Sequence, residues 1–173
     1  EFLMLNQDSL LIGNEDLKGK VYLAEFFFTR CPSICPIMNK NMKILDDRFG
    51  DRADFGITSF TIDPDHDTPH VLKKYAEDYG VKSQNWHFLT GKKSTVYELA
   101  NAGFSIFAGI NPEVAGGFEH QGYFALIDKR GYIRSRVDRF DNPIVYYSGL
   151  DREDQEVQGV DMLLEDIELL LKE

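Results

Sequence analysis

Cysteine is scarce in this chain: its 173 residues contain only two, Cys31 and Cys35, which stand four positions apart. Two cysteines form at most one bridge, so a disulfide-stapled scaffold is excluded. A loop this short also gains little loop-closure entropy from a bridge. The pair therefore suits redox chemistry or metal binding better than structural reinforcement.

The sequence also has no excess of positive charge, and it contains no long apolar run. Its formal net charge of −10 argues against nucleic acid and anionic lipid, since both need a basic face. An acidic surface suits a cationic partner or a metal ion, and solubility alone explains it equally well. No apolar stretch approaches the roughly 20 residues that span a bilayer. The chain starts at Glu1-Phe2 without a recognisable signal sequence, so we expect a processed product or an excised soluble domain that lacks its N-terminal anchor.

The length is sufficient for one domain with a substantial core, and we predict a single domain over residues 1–173. Strand-like and helix-like stretches alternate, which favours an α/β fold with a mixed sheet. The predicted strands cover 9–12, 21–28, 55–62, 86–90, 123–127 and 132–137; the predicted helices cover 36–49, 69–79, 94–101 and 160–171. Residues 104–117 are rich in glycine without a clear period, and we predict an irregular insert or a hairpin there.

The two cysteines lie in Cys31-Pro-Ser-Ile-Cys35-Pro36, directly after the apolar strand predicted at 21–28. Pro36 lacks an amide proton and is best tolerated at a first helical position, which places Cys35 near a helix N-terminus and Cys31 in the preceding turn. The free amides and the positive dipole end of that helix favour thiolate over thiol. Thiolate is both the nucleophile of disulfide exchange and the soft ligand that selects Cu(I) or zinc. Buried cysteines that act only as small apolar residues are the plainer alternative.

This motif and several later segments resemble the Sco/SenC family, whose copper motif is of the same Cys-x-x-x-Cys type. The other matching segments are Thr61-Ile-Asp-Pro-Asp-His-Asp-Thr-Pro69, 75–80, 86–91 and a late histidine, His120, before the strand predicted at 123–127. The resemblance implies a thioredoxin-like fold, with a mixed central sheet flanked by helices, an N-terminal extension and a hairpin or loop insert before the last strands. It also implies one copper ion, Cu(I) or Cu(II), bound by Cys31, Cys35 and His120.

The resemblance further implies a metallochaperone that takes part in assembling the CuA centre of cytochrome c oxidase. Its partners would be the apo oxidase subunit that carries the CuA site and other copper chaperones or thiol oxidoreductases, with no nucleic acid. Family members usually sit on an N-terminal anchor, outside the bacterial cytoplasmic membrane or at the mitochondrial inner membrane. We therefore expect a cell-envelope location on the periplasmic side, with membrane contact only through an anchor that is absent from this chain.

Three acidic residues are further candidates for the site. Asp63 and Asp67 bracket a proline turn after the strand predicted at 55–62, and they either cap this turn and the next helix or place a carboxylate near the metal. Glu25 interrupts an apolar strand six residues before Cys31, where a carboxylate is costly unless it is paired or protonated. It is either an edge-facing or salt-bridged residue, or a proton acceptor for a resolving thiol. Thioredoxin-like oxidoreductases hold a buried acid at this offset, whereas many Sco relatives have an uncharged residue.

Two classes of function therefore remain. The first is copper delivery; the second is a thiol–disulfide oxidoreductase that uses Cys31 and Cys35 to reduce cysteines of the oxidase subunit or of other envelope proteins. His120 distinguishes them, because dithiol exchange needs no histidine ligand. We expect copper binding to be the primary role. Of the remaining histidines, we predict that His66 is a solvated turn residue and that His70 and His87 are surface and structural residues.

Overall fold

The computed structural model describes residues 1–173, which form twelve strands and five helices. The strands are β1 (Leu3–Leu5), β2 (Leu11–Gly13), β3 (Val21–Phe27), β4 (Phe55–Thr61), β5 (Trp86–Leu89), β6 (Ala108–Ile110), β7 (Phe118–His120), β8 (Tyr123–Ile127), β9 (Ile133–Arg134), β10 (Arg136–Val137), β11 (Pro143–Ile144) and β12 (Tyr147–Ser148). The helices are α1 (Asn14–Leu17), α2 (Cys35–Phe49), α3 (Pro69–Asp78), α4 (Lys93–Glu98) and α5 (Gly159–Lys172), and a π-helical turn (Leu99–Gly103) continues α4. None of these helices is both long enough and apolar enough to cross a bilayer.

The central sheet has the strand order β12-β8-β3-β4-β5, and β9 also pairs with β8. Strands β3, β4 and β5 run parallel, whereas β8 is antiparallel to β3. Every residue of β3 and β4 is buried, as expected for central strands covered on both faces. The predicted mixed sheet flanked by helices is thus confirmed.

Both faces of this sheet are covered. Helices α2 and α3 lie on one face, where Asn39 of α2 donates to the hydroxyl of Tyr75 in α3 at 2.9 Å, and the Tyr75 ring lies 5.4 Å from that of Phe27 in β3 between centroids. Helix α5 packs against α2 on the same face. The N-terminal segment and the turn after α4 cover the opposite face, where the rings of Phe2 and Phe104 lie 5.0 and 6.3 Å from Phe60.

One edge of the sheet gathers the segments that carry the candidate residues. Because β3 and β4 are parallel, their carboxyl ends meet there, and the backbone amide of Ile62 donates to the oxygen of Phe27 at 2.8 Å. The hairpin of β6 and β7 reaches the same edge at Gly116, which has φ of +89°. A Cβ atom at Gly116 would lie 3.0 Å from the Phe28 ring and 3.2 Å from Pro32, so glycine permits this close approach.

The structure differs from the predicted strands where a pairing partner decides their extent. The strand predicted at 9–12 lies at Leu11–Gly13, because it pairs with β1, which was not predicted. The segment predicted as one strand at 132–137 divides in two: β9 stays on β8, and β10 leaves to pair with β11. The short strand β12, on the outer side of β8, was also not predicted.

Two differences concern the candidate site directly. The segment predicted at 104–117 as an irregular insert or a hairpin contains β6, which pairs with β7; the hairpin alternative is confirmed, and His120, for which no strand was predicted, is the last residue of β7. This pairing places Ala108 opposite His120 and fixes the backbone of the histidine. Helix α2 begins at Cys35, one residue before the predicted start at Pro36.

Candidate metal centre

The structure brings together the three residues that the resemblance singled out. Cys31 lies in the turn after β3, Cys35 is the first residue of α2, and His120 is the last residue of β7. One ligand atom of each lies within 4.8 Å of the other two, and Cys35 Sγ is 2.9 Å from His120 Nε2. Three separate elements thus supply two sulfur atoms and one nitrogen to a single point.

The helix start that carries Cys35 has no side-chain cap. Ile34 occupies the N-cap position, and Pro36 contributes no amide proton. The remaining free amides of the first turn make this end of α2 electropositive, which favours negative charge on the neighbouring sulfur atoms. The amide of Cys31 donates to the oxygen of Phe28 at 3.2 Å, which closes the turn before the helix.

The two thiols differ in acidity. A hydrogen bond with the Cys35 thiol is the main cause that lowers the pKa of Cys31 to about 3, whereas burial raises the pKa of Cys35 far above its usual value. Cys35 is fully buried and Cys31 is 9% exposed. Cys31 is therefore the thiolate of the pair at neutral pH, and Cys35 holds the proton.

His120 presents its Nε2 atom to the cysteines. Its Nδ1 lies 3.3 Å from the backbone oxygen of Gln121, and the tautomer with the proton on Nδ1 leaves the lone pair on Nε2. The ring meets Phe28 edge-on, with 5.9 Å between centroids, and Phe28 in turn packs 5.2 Å from Phe118. His120 as a whole residue is half-buried, and these aromatic contacts hold its imidazole in place.

This donor set fits a soft metal ion. Thiolate ligands select Cu(I), zinc and iron–sulfur clusters, and imidazole suits copper and zinc. Three protein donors leave a coordination position open, whereas structural zinc sites are almost always closed by four protein ligands. The arrangement therefore fits a copper site from which the ion can be passed on better than it fits a structural zinc site.

The predicted carboxylates Asp63 and Asp67 lie beside the cysteine turn, as the topology led us to expect. Asp63 Oδ2 accepts a hydrogen bond from Arg30 Nη2 at 2.6 Å, and Asp67 accepts from the backbone amide of Thr29 at 3.0 Å. The N-cap of α3 is Thr68, whose hydroxyl accepts from the amide of Val71, so the alternative in which these two acids cap the helix is wrong. Thr29 and Arg30, which directly precede Cys31, were not predicted as partners of these acids.

The other three histidines lie away from the cysteines. His66 is partly exposed in its turn and its Nδ1 donates to Asp67 Oδ1 at 2.9 Å, so it is not simply solvated as predicted. His70 is exposed at the start of α3, and His87 lies in β5 with its Nδ1 3.3 Å from Asn6 Nδ2. The predicted surface and structural positions of these two residues are confirmed.

Glu25 is fully buried in the central strand β3, so the edge-facing or salt-bridged alternative is wrong. Its Oε1 accepts from Ser59 Oγ at 2.5 Å, and Ser59 Oγ accepts from Trp86 Nε1 at 2.9 Å. Its Oε2 has no hydrogen-bond partner in the protein. Burial raises the pKa of Glu25 to about 7, because the charged form has lost its water. Side chains alternate along a strand, so Glu25 shares the face of Phe27, which α2 and α3 cover.

Comparison with known proteins identifies relatives along the whole chain. The model of the SCO1/SenC family matches residues 1–153. The SCO1 protein homolog of Bacillus subtilis is 36% identical over 143 residues, which cover 82% of this chain and 74% of that protein. The crystal structure of a SCO1/SenC family lipoprotein from Bacillus anthracis has a TM-score of 0.78 at 29% identity, covering 98% of this chain and 92% of the other.

Two further solved structures bear on the chemistry of the site. BsSco, described as a member of the Sco family of cytochrome c oxidase assembly proteins that contains a disulfide switch, has a TM-score of 0.71 at 32% identity, covering 96% of this chain and 89% of its own. Yeast Sco1 with copper bound has a TM-score of 0.65 at 26% identity, covering 96% and 86%. These neighbours confirm the predicted thioredoxin-like fold.

The unequal acidity of the two thiols predicts selective labelling. In the reduced, metal-free protein, iodoacetamide at pH 5 should alkylate Cys31 and spare Cys35, because only Cys31 is a thiolate at that pH. Peptide mass spectrometry after a short exposure measures both positions. The variant Cys31→Ser should take up no label under the same conditions. Equal labelling of both thiols would show that the proton is not held by Cys35.

The buried Glu25 predicts a pH-dependent stability. Its pKa rises from 4.5 to about 7 on folding, so the native state binds the extra proton between these values and loses stability as the pH rises through them. At about 1.36 kcal/mol for each pKa unit, the loss amounts to about 3 kcal/mol. Urea denaturation of the reduced protein at pH 4.5 and pH 8 should show this loss in the free energy of unfolding relative to Glu25→Gln. Parallel pH profiles of the two proteins would contradict it.

Proposed function

The chain belongs to the SCO1/SenC family, and we propose that it is a copper metallochaperone that takes part in assembling the CuA centre of cytochrome c oxidase. The observation that carries this proposal is the convergence of Cys31, Cys35 and His120 within 4.8 Å. Two structural neighbours support it: yeast Sco1 has been solved with copper bound, and BsSco belongs to a family of oxidase assembly proteins. Copper is the cargo, one ion per chain, as Cu(I) or Cu(II).

The unequal thiols suggest how the ion is taken up. Cys31 supplies a thiolate that needs no prior deprotonation, and binding of the ion then displaces the proton of Cys35, since metal ligation requires thiolate. His120 completes the set from a separate hairpin, and it is more exposed than either cysteine. A partner's ligand can therefore replace the imidazole first, while both sulfur atoms still hold the copper.

The family membership also supports a partner and a location. We infer that the partner is the apo oxidase subunit that carries the CuA site, and that other copper chaperones or thiol oxidoreductases act on this chain. We infer a location in the cell envelope, outside the cytoplasmic membrane, with an N-terminal membrane anchor; the Bacillus anthracis neighbour is a lipoprotein. A continuous hydrophobic core that links the sheet, α2, α3 and α5 supports a single domain over residues 1–173.

Removal of the histidine tests the copper site. In His120→Ala, the thiolate-to-Cu(II) charge-transfer absorption should disappear or shift strongly. Loss of residues around metal ligands typically weakens affinity by about 10- to 100-fold, so loss of a ligand should cost at least about tenfold. The measurements are the visible spectrum and a copper competition titration with a chromophoric chelator. His70→Ala, which changes an exposed histidine on α3, is the matched control and should behave like the wild type. A wild-type spectrum in His120→Ala would rule out the assignment.

A second function, reduction of disulfides, is favoured by the lowered pKa of Cys31 and by the disulfide switch described for BsSco. The Cys31 thiolate would attack one sulfur of a partner disulfide and release the other as a thiolate that takes up a proton. Cys35 would then lose its proton and attack Cys31, which releases the reduced partner and leaves a Cys31–Cys35 disulfide. Each cycle therefore needs an external thiol reductant. Glu25, with one oxygen unpartnered on the face covered by α2, is the candidate acceptor for the Cys35 proton.

A paired assay separates the two functions. Copper transfer to an apo CuA-type domain and reduction of that domain's disulfide are measured on Glu25→Gln and His120→Ala. Disulfide exchange should slow by about 10²-fold in the glutamine variant, the usual loss when a general base is removed, while copper transfer is retained. The alanine variant should lose copper transfer and retain exchange. If the glutamine variant reduces the domain at the wild-type rate, Glu25 is not the proton acceptor.

A further inference from the structure

The carboxylate of Asp67, close to the metal centre, is surrounded by four hydrogen-bond donors. It is fully buried, and each oxygen accepts two hydrogen bonds. Oδ1 accepts from the hydroxyl of Thr29 at 2.5 Å and from Nδ1 of His66 at 2.9 Å. Oδ2 accepts from the amide of Thr29 at 3.0 Å and from the hydroxyl of Thr61 at 2.5 Å. The residue therefore connects three segments of the chain at one point.

These contacts argue against a second metal site. Asp63, His66 and Asp67 place ligand atoms within 4.8 Å of one another, which is the spacing of a metal cluster. A carboxylate offers about four lone-pair positions, and protein donors occupy all four of those on Asp67. Asp63 is also engaged, since Arg30 donates to its Oδ2. The close spacing of these three residues is thus explained by the hydrogen bonds that the two carboxylates accept from neighbouring parts of the chain.

What Asp67 holds is the chain segment that leads to Cys31. Strand β3 ends at Phe27, and Thr29 follows two residues later, beyond the last pair of the β3–β4 ladder. The carboxylate accepts from both the amide and the hydroxyl of Thr29, and its Oδ2 atom also accepts from the hydroxyl of Thr61, the last residue of β4. It thus extends the connection between the two strands past the point where their backbones separate.

We propose that Asp67 is a positioning residue that sets the place of Cys31 in the metal centre. Cys35 and His120 are held independently, by helix α2 and by the pairing of β6 with β7. Only Cys31 depends on the turn that starts at Thr29, so a shift of this turn moves one of the three donors relative to the other two. This proposal rests on the proposed copper site.

Two substitutions remove the connection to different extents. Asp67→Asn keeps the size of the side chain but replaces one acceptor oxygen by an NH₂ group that faces the existing donors. Thr29→Val keeps the shape and the amide bond of Thr29 but removes its hydroxyl. Residues that orient metal ligands typically contribute about 10- to 100-fold to affinity. We expect Asp67→Asn to weaken copper binding within that range, and Thr29→Val to weaken it by about tenfold. Both should shift the thiolate-to-Cu(II) absorption.

Two control variants separate positioning from stability. Thr29→Ser keeps the hydroxyl that Thr29→Val removes, so its copper affinity and spectrum should equal those of the wild type. Thr61→Val removes a different hydrogen bond to the same carboxylate, together with the bond that Thr61 accepts from the amide of Asp63 at 3.1 Å. It should therefore destabilise the fold at least as much as Thr29→Val. Copper affinity should nevertheless stay within about threefold of wild type, because the amide of Asp67 still donates to the oxygen of Asp63 at 2.9 Å and both hydrogen bonds from Thr29 to the carboxylate remain.

The measurements are urea denaturation of each metal-free protein, a Cu(I) competition titration and the visible spectrum of the Cu(II) form. The proposal is supported if only Thr29→Val lowers the copper affinity and shifts the spectrum, while both Thr29→Val and Thr61→Val lower the free energy of unfolding. It is overturned if Thr29→Val binds copper like the wild type, or if Thr61→Val loses as much affinity as Thr29→Val. If Asp67→Asn does not fold, the comparison of the threonine variants decides alone. Absence of copper binding by the wild type would instead refute the proposed function.

Discussion

The parallel pairing of β3 with β4 is the constraint on which the candidate site depends. Its register runs from Val21 opposite Phe55 to Phe27 opposite Thr61, so both strands end at the same level. The cysteine turn leaves β3 at this level, and the turn of Asp63 and Asp67 leaves β4 beside it. A shift of two residues in this register would leave each side chain on the same face of the sheet. It would, however, move Thr29 by about 7 Å along the strand relative to Asp67 and so break their contact.

Two buried carboxylates, Glu25 in β3 and Asp67 in the loop between β4 and α3, show how the surroundings assign different roles to the same group. Glu25 has one hydrogen-bond donor and an unpartnered oxygen, so burial raises its pKa to about 7 and it can exchange a proton near neutral pH. Asp67 has four donors, which leave it no free oxygen and make it suited to hold other residues in place. The count of donors, rather than the depth of burial, separates a reactive acid from a positioning one.

The sequence predicts the parts of this structure that depend on local chemistry. Thr68 and Pro69 mark the start of α3, and the apolar run from Val21 marks a central strand, because capping and burial on both faces leave direct traces in the residue pattern. The strand position of His120 leaves no such trace, since it depends on pairing with Ala108 across a hairpin. The role of Thr29 is equally hidden, because its partner Asp67 is 38 residues away and only the β3–β4 register brings them together. Resemblance to a family supplied the ligand set, which spacing alone left open between copper, zinc and a disulfide.

The geometry also ties the two candidate functions to one proton. Copper binding and disulfide formation each require Cys35 to lose the proton that burial holds on it. A disulfide would bring the two sulfur atoms to about 2.05 Å and leave neither as a thiolate, so the oxidised chain cannot hold copper through Cys31 and Cys35. The two states are therefore mutually exclusive, and reduction of the pair must precede copper loading. A chain that has just reduced a partner's disulfide is in the oxidised state and unable to carry copper. The same molecule can consequently serve both functions only in succession, with an external thiol reductant acting between them.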